Sequence, residues 1–306
     1  MSAPTHHHGH HHHDHSHGAG YGRAFKIGLT LNLGFVVIEA LVGLSIDSLA
    51  LIADAGHNLG DVMGLLLAWW TQYLSGRAPS RKYTYGLQSS TILAALGNAM
   101  LLLIAVIFIG YQAVHRLNDP APVPGQTVII VAAIGVLINS LTAWQFHKGQ
   151  HDDLNLRGAY LHMVGDALIS LGVVVSGVII WYTGWNWVDP VTSLLLAAAI
   201  LLTGWKLFTQ SLDLALHGVP DKINPDDVTR YLEGLPGVAR AHDLHIWAMS
   251  TNETALTVHL VMPSGHPGDA FLHRISEGLE EQFRIGHATV QIELGADASE
   301  CVTHSC

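Results

Sequence analysis

Long apolar runs, separated by short polar segments, fill the first two thirds of the chain. Six of these runs have about 20 residues or more, the length that an α-helix needs to cross the hydrocarbon core of a bilayer. They cover residues 25–44, 48–74, 88–114, 127–146, 159–183 and 191–212. Turn-forming residues interrupt the pattern, for example Ser-Gly-Arg-Ala-Pro at 75–79. The pattern therefore predicts six membrane-spanning helices.

Beyond residue 213 the hydrophobic pattern becomes that of a small mixed domain. Asn224, followed by Pro225 and two aspartates, is typical of a helix start. The later pattern predicts strands at 241–250, 255–262 and 287–294 and a helix at 269–283. The order α-β-β-α-β predicts an α+β domain. We thus divide the chain into a tail (1–20), a membrane domain (21–212), the α+β domain (213–296) and a short end (297–306).

Basic residues around the six runs predict the orientation in the membrane. Segments on one side carry Arg23, Lys26, Arg77, Arg81, Lys82, Lys148 and Arg157. The loops on the other side carry Arg116 alone. Since Lys and Arg concentrate on the cytoplasmic side of membrane proteins, both termini are predicted to be cytoplasmic.

Composition narrows the class of protein further. Only 12% of the 306 residues are charged, about half the share in ordinary soluble domains, roughly 25%. A formal charge of −10 speaks against a nucleic-acid partner. The 22 histidines outnumber Lys and Arg together, which total 14. The composition indicates a membrane protein with an excess of side chains able to bind metal ions.

Two of the predicted membrane helices repeat the pattern His-x-x-Gly-Asp. It occurs as His57 to Asp61 in the second helix and as His162 to Asp166 in the fifth. Residues four apart share one face of an α-helix, so each helix presents an imidazole beside a carboxylate. If the two helices face each other, the four groups form an N2O2 cage, the ligand number that tetrahedral zinc prefers. Ionisable groups in membrane helices are costly and are hypotheses of function by default.

The charges of this cage predict an exchange of metal for protons. One divalent cation neutralises both aspartates, and two protons do the same, because ligands lose protons before they bind metal. Asp54, one turn before His57, either orients an imidazole or serves helix packing. Glu39, in the first helix, is either a polar contact between helices or part of a proton path. The sequence leaves both alternatives open.

Further histidines lie outside the membrane helices. Nine occur between His6 and His17, a composition that favours a disordered metal-collecting arm. In the α+β domain, strand alternation places His259, Glu293 and His245 on one face, where they form a candidate regulatory zinc site; exposed polar strand residues are the alternative. The ending Cys301-Val-Thr-His304-Ser-Cys306 has zinc-binding residue types, but a mobile terminus without metal is favoured.

Several motifs in a fixed order resemble the cation diffusion facilitator family, in its zinc-exporter and cobalt–zinc–cadmium resistance branch. They are Ser-Leu-Ala-Leu-Ile-Ala-Asp-Ala-Gly-His-Asn at 48–58, Tyr-Thr-Tyr-Gly at 83–86, Asp189-Pro190 and His-Asp-Leu-His-Ile-Trp at 242–247. The resemblance implies a homodimer with six membrane helices and a ferredoxin-like cytoplasmic domain in each subunit. It also implies zinc transport by alternating access, driven by protons.

The same resemblance assigns residues. Its transport site maps onto the four residues of the two repeats, and it adds His242, just before the first strand, and His273 in the following helix as regulatory ligands. Gln291 stands where relatives use a histidine, which puts a second regulatory metal in doubt. The chain is thus expected to be a Zn²⁺/H⁺ antiporter of the inner membrane, with Zn²⁺ as its metal.

Three other functions compete with this expectation. An intramembrane zinc hydrolase needs three ligands, an open water position and a general base, and the chain lacks His-Glu-x-x-His; we expect no enzyme. A membrane-anchored zinc sensor or buffer would leave the six apolar runs unexplained. An exporter that prefers Cd²⁺ or Co²⁺ differs only in metal preference.

Overall fold

The computed structural model describes residues 18–75, 77–147 and 154–295. Six long helices occupy the positions of the six apolar runs. They are α1 (Gly18–Ser45), α2 (Leu49–Ser75), α3 (Ser90–Arg116), α4 (Gly125–His147), α5 (Leu154–Thr183) and α6 (Val188–Ala215). Among the described residues, α3 to α6 contain stretches long and apolar enough to cross a membrane, and α1 contributes the shorter apolar stretch Thr30–Ser45.

Two helices begin five or more residues before their apolar runs. α1 already begins at Gly18, within the segment predicted as a tail, and α5 begins at Leu154 rather than near residue 159. The apolar run corresponds to the part of a helix that lies within the hydrocarbon core, and the helix itself extends beyond it. Hydropathy therefore underestimates the length of these helices.

The described chain forms two compact units. The first contains the residues up to Leu59 together with Ala113–Ser193, and the second contains Gly60–Gln112 and the residues from Leu194 onward. The first unit includes α1, the beginning of α2, α4 and α5. The second includes most of α3 and α6 and the C-terminal domain.

Glycines let α4 and α5 approach each other closely in the first unit. A Cβ atom on Gly125 would lie 2.6 Å from the carbonyl oxygen of Gly177, and one on Gly177 would lie 3.0 Å from the backbone nitrogen of Ile129. α1 packs on α4 where the ring of Phe35 lies against Gly135. Small residues at such contacts are typical of packed membrane helices.

Asp189, at the start of α6, caps the start of α2. Its carboxylate accepts hydrogen bonds from Ser48 Oγ at 2.6 Å and from the backbone N–H groups of Leu49 and Ala50 at 2.8 and 3.3 Å. It is 1% exposed, and it satisfies donors that have no partner within the helix. This contact sets the position at which α2 begins.

An ion pair at the end of α3 explains the one basic residue on the sparsely charged side. The guanidinium of Arg116 contacts the carboxylate of Asp47, with Nη2 and Oδ1 3.0 Å apart, and also donates to the carbonyl oxygen of Asp47. Arg116 therefore serves a local contact in the α1–α2 loop.

The C-terminal domain has the predicted order of elements. It contains α7 (Pro225–Glu233), β1 (Arg240–Ala248), β2 (Thr254–Val261), α8 (Asp269–Phe283) and β3 (His287–Glu293). The Asn224 side chain accepts a hydrogen bond from the N–H of Asp226 at 3.0 Å, which confirms the predicted helix start. The strands form one sheet in the order β1-β2-β3, with β1 antiparallel and β3 parallel to β2.

One face of this sheet forms the core of the domain. Leu256, Val258 and Leu260 of β2 are fully buried and pack with apolar residues of α7 and α8. Val290 and Ile292 of β3 pack against the same core. Leu294, at the end of the predicted strand 287–294, is 63% exposed because β3 ends at Glu293. Both helices cover one face, and the other face is left for polar side chains.

Candidate metal sites

Three of the four predicted membrane ligands come together in the first unit. His57 Nε2 lies 3.4 Å from Asp166 Oδ1, and His162 Nε2 lies 3.8 Å from Asp166 Oδ2. The two imidazole centroids are 6.5 Å apart. α2 supplies the first histidine, and successive turns of α5 supply the other two residues. The structure thus brings His57 of the first pattern close to both His162 and Asp166 of the second.

These distances suit a tetrahedral metal ion. Zinc binds imidazole nitrogen and carboxylate oxygen at about 2.0–2.1 Å, so neighbouring ligand atoms of a tetrahedron lie roughly 3.3–3.5 Å apart. The contact between His57 and Asp166 already has this spacing, and that between His162 and Asp166 is slightly wider. Little rearrangement separates this arrangement from a metal-binding one.

Asp61 follows His57 by one turn of α2, on the same helix face. It belongs to the second compact unit. Its participation in the metal site stays a prediction.

Burial differs among the three groups that meet. The side chain of Asp166 is 4% exposed and that of His57 is 13% exposed, whereas that of His162 is 47% exposed. A buried carboxylate costs little free energy only if a cation or donors compensate its charge. The imidazoles of His57 and His162 compensate the charge of Asp166 when they are protonated. A metal ion bound to the same three side chains does so in place of the protons.

A second buried carboxylate, Asp54, ties α2 to α5 beside this site. It is 0% exposed and accepts hydrogen bonds from Ser170 Oγ at 2.8 Å and from Asn58 Nδ2 at 3.4 Å. Ser170 comes one turn after Asp166 on α5. Sequence reasoning did not single out Ser170, since a lone serine in an apolar helix carries no distinctive pattern.

The polar face of the C-terminal sheet holds the second cluster, within the second unit. His242 Nε2 lies 3.0 Å from Glu293 Oε2, and His259 Nδ1 lies 2.9 Å from Glu293 Oε1. Their ligand atoms lie within 4.8 Å of one another, as a shared metal ion requires. The contacts are of hydrogen-bond length, so the ligands must open by a few tenths of an ångström to admit a zinc ion.

The hydrogen bond from His242 holds the pKa of the Glu293 carboxyl below its ordinary value, and the neighbouring charge of His259 acts in the same direction. Glu293 therefore stays ionised at neutral pH. An ionised carboxylate between two imidazoles is a ready metal ligand.

A β-bulge brings His242 to this cluster. The register of β1 against β2 shifts between His242 and His245, and Asp243 in between has a φ of 50°. In a regular strand, residues three apart point to opposite faces, whereas the inserted residue puts both histidines on the face of His259. The prediction that His242 precedes the strand is wrong, since β1 begins at Arg240.

Asp243 is a member of this polar face that sequence reasoning missed. Its carboxylate lies 3.1 Å from His245 Nε2 and 3.6 Å from His259 Nε2. Strand alternation alone would assign Asp243 to the opposite face from His242, and the left-handed backbone at this residue overrides that alternation. Its contacts orient two of the imidazoles.

Two other predicted features differ in their placement. His273 is exposed on α8, which packs on the core face of the sheet through Phe271 and Ile275. Within one chain it therefore lies away from the cluster at Glu293. Gln291 is beside the cluster and donates a hydrogen bond from Nε2 to Glu293 Oε1 at 3.3 Å, so it supports the carboxylate without replacing an imidazole.

Several candidate ligands lie outside the described residues. These are the histidines between positions 6 and 17 and the terminal Cys301, His304 and Cys306. The predictions made for them stay predictions.

Two protein-family models match this chain, and together they cover most of its length. "Cation efflux transmembrane domain" matches residues 25–214, and "Cation efflux protein, cytoplasmic domain" matches residues 220–294. The boundary between the two matches falls where the long helices end and the α+β domain begins.

Three curated relatives align over most of their length. The metal cation efflux system protein CzcD of Cupriavidus metallidurans is 37% identical, over 91% of this chain and 90% of that protein. The zinc transporter ZitB of Escherichia coli is 36% identical, over 85% and 83%. The cadmium, cobalt and zinc/H(+)-K(+) antiporter of Bacillus subtilis is 33% identical, over 90% and 89%.

Proposed function

The chain belongs to the cation diffusion facilitator family of metal cation efflux proteins, and from that premise we propose that it exports Zn²⁺ from the cytoplasm in exchange for protons. The observation that carries the proposal is the meeting of His57, His162 and Asp166. Asp61 supplies the fourth ligand. The resulting shell of two imidazoles and two carboxylates suits zinc, whereas harder cations such as Mn²⁺ prefer oxygen ligands alone.

The proton exchange follows from the charges at this site. Zinc brings two positive charges to Asp61 and Asp166, and protons on the same ligands compensate those carboxylates when zinc has left. Histidine titrates near physiological pH, so modest differences in pH between the two sides shift the balance between metal and proton. Protonation from the outer side releases zinc, and loss of the protons to the cytoplasm restores the binding state.

The movement is of the alternating-access kind, with the two helices that carry the ligands opening toward one side at a time. The direction of transport is out of the cytoplasm, as expected for a cation efflux protein. The chain resides in the inner membrane with both termini in the cytoplasm, consistent with the distribution of Lys and Arg. Two copies form a homodimer.

The second cluster serves regulation. His242, His259 and Glu293 bind one zinc ion on the polar face of the cytoplasmic domain. Three protein ligands leave a fourth position for water or for a residue of the second copy. The occupancy of this site by zinc depends on the cytoplasmic zinc concentration, and this occupancy regulates transport.

The test is zinc flux into reconstituted vesicles under an imposed pH gradient. Vesicles with an acidic interior are expected to take up zinc through chains whose cytoplasmic side faces outward, and to lose protons in return. Zinc uptake at a rate independent of the pH gradient would overturn the proposed proton coupling. A chain that binds zinc but moves none would instead be the membrane-anchored sensor or buffer.

The Bacillus subtilis relative is a cadmium, cobalt and zinc/H(+)-K(+) antiporter and the Escherichia coli relative is a zinc transporter. Imidazole ligands also accept Cd²⁺ and Co²⁺. The same vesicles, loaded with each ion in turn, decide the preference. If Cd²⁺ or Co²⁺ is taken up faster than Zn²⁺ at equal concentration, that ion is the principal substrate instead of zinc.

A further inference from the structure

Two buried carboxyl groups lie beside the membrane site, and neither is among the proposed zinc ligands. Glu39 belongs to α1 and Asp54 to α2, and both are 0% exposed. The carboxyl group of Glu39 is within hydrogen-bonding reach of that of Asp54. Two carboxylates at this separation repel each other unless a proton lies between them.

The surroundings of the pair compensate only one of its members. Asp54 accepts hydrogen bonds from Ser170 and Asn58, whereas neither oxygen of Glu39 accepts one from a donor among the described residues. An ionised Glu39 would be a buried charge without compensation, which is costly in a membrane helix.

No lysine or arginine of the described residues is among the groups that act on Glu39 or Asp54. α4, which packs on α1, has no charged residue from Gly125 to Phe146. The titratable groups that act on Asp54 besides Glu39 are His57 and Asp166. The charge that the pair can accept is therefore a proton.

We propose that Glu39 and Asp54 share one proton and form a proton-binding site separate from the zinc ligands, which gives up its proton when zinc binds beside it. The inference rests on the proposed exchange of zinc for protons. His57 follows Asp54 by one turn of α2, so a divalent ion bound there lies close to the pair. The positive charge of that ion favours the fully ionised pair over the protonated one.

The position of the pair suits this task. Glu39 precedes the end of α1 by six residues, and Asp54 follows the start of α2 by five, so both lie roughly one and a half turns from the α1–α2 loop. His57 lies a further turn along. With both termini in the cytoplasm, this loop is on the outer side, and a proton arriving from there meets the pair before it meets the zinc ligands.

The test measures how many protons the full chain releases per zinc ion bound. Titration calorimetry in two buffers of different ionisation enthalpy yields this number for the purified protein. The variant E39Q keeps the size and the hydrogen-bonding ability of the side chain but removes the titratable group. We expect E39Q to bind zinc at the membrane site while releasing about one proton fewer than the unaltered chain.

Two further variants complete the test. D54N replaces the other half of the pair, and the same reduction is expected; it also serves if E39Q does not fold. S176A removes a buried hydroxyl elsewhere on α5 and is expected to release as many protons as the unaltered chain.

The outcomes separate the pair from the transport function. Proton release by E39Q and D54N equal to that of the unaltered chain would overturn the proton-binding pair alone. Folded E39Q that binds no zinc at the membrane site would also overturn it, because the pair would then belong to the metal site. If the unaltered chain itself released no protons on binding zinc, the proposed proton exchange would fall as well.

Discussion

One carboxylate contacts two imidazoles in each of the two clusters. In the membrane, Asp166 lies 3.4 and 3.8 Å from His57 and His162; in the cytoplasmic domain, Glu293 lies 3.0 and 2.9 Å from His242 and His259. The wider spacing already matches a zinc shell, whereas the narrower one is that of hydrogen bonds. At the scale of residues, the membrane site is thus the better prepared to take up and release an ion without local rearrangement.

Replacing Asp166 by Asn tests the membrane cluster. The amide keeps the shape of the side chain but removes the charge that binds the metal, and we expect proton-driven zinc flux to fall by about 100-fold or more, beyond the loss typical of a residue that only supports a ligand. D119N, which changes an exposed aspartate in the loop before α4, is the matched control and is expected to transport normally. Normal flux through D166N vesicles would remove Asp166 from the site.

Replacing Glu293 by Gln tests the cytoplasmic cluster. In a chain that also carries D166N, so that the membrane site contributes little, E293Q is expected to weaken the remaining zinc binding by about 10–100-fold. Equilibrium dialysis of the purified protein measures this affinity. E277Q, at an exposed position of α8, should leave it unchanged; equal weakening by E277Q would point to a general effect of charge.

Helix packing determines whether the ligands meet at all. α5 carries two of the three converging groups, and it approaches α4 closely at Gly177 and Gly125. The cap that Asp189 places on α2 acts in the same way for His57, because it determines where that helix begins. At the scale of elements, the site depends on glycines and a capping carboxylate that never touch the metal.

The variant G177A tests the packing of α4 against α5. The added methyl group would lie 3.0 Å from the backbone nitrogen of Ile129, so the two helices must move apart. We expect a loss of stability of roughly 1–3 kcal/mol, the usual cost of overpacking, seen as a lower melting temperature of the purified protein. G172A adds the same methyl group on α5 where nothing lies within 4 Å. If G172A lowered the melting temperature as much as G177A, helix contact would not be the cause.

At the scale of the whole molecule, the chain combines a membrane-embedded cluster with a cytoplasmic domain that carries a second one. Its family membership and its low content of charged residues agree that metal transport is the task of the whole. The histidine-rich segment at the N-terminus, which lies outside the described residues, adds nine further imidazoles. We expect it to collect zinc at the cytoplasmic entrance and to leave the transport step itself untouched.

Deleting residues 1–17 tests this role. The deletion ends where α1 begins, at Gly18, so the helix is preserved. We expect a lower rate of zinc uptake at low zinc concentration and an unchanged rate at saturation, because a collecting arm raises local concentration only. Complete loss of uptake in the vesicle assay would show that the segment is part of the transport machinery.

The sequence by itself determined the features that depend on residues close together in the chain. Hydropathy located the six helices, although α1 and α5 begin several residues before their apolar runs, and alternation located the three strands. The spacing of His57 and Asp61 placed both on one helix face, because the helical period is the same wherever the helix packs. Motifs in a fixed order indicated the family.

Only the tertiary structure decided which residues from distant parts of the chain meet. The bulge at Asp243 turns His242 toward His259, and strand alternation cannot foresee an inserted residue. The approach of Glu39 to Asp54, and of Ser170 to Asp54, depends on how α1, α2 and α5 pack. Such contacts are set by the free energy of burying side chains between helices, which no local pattern of the sequence encodes.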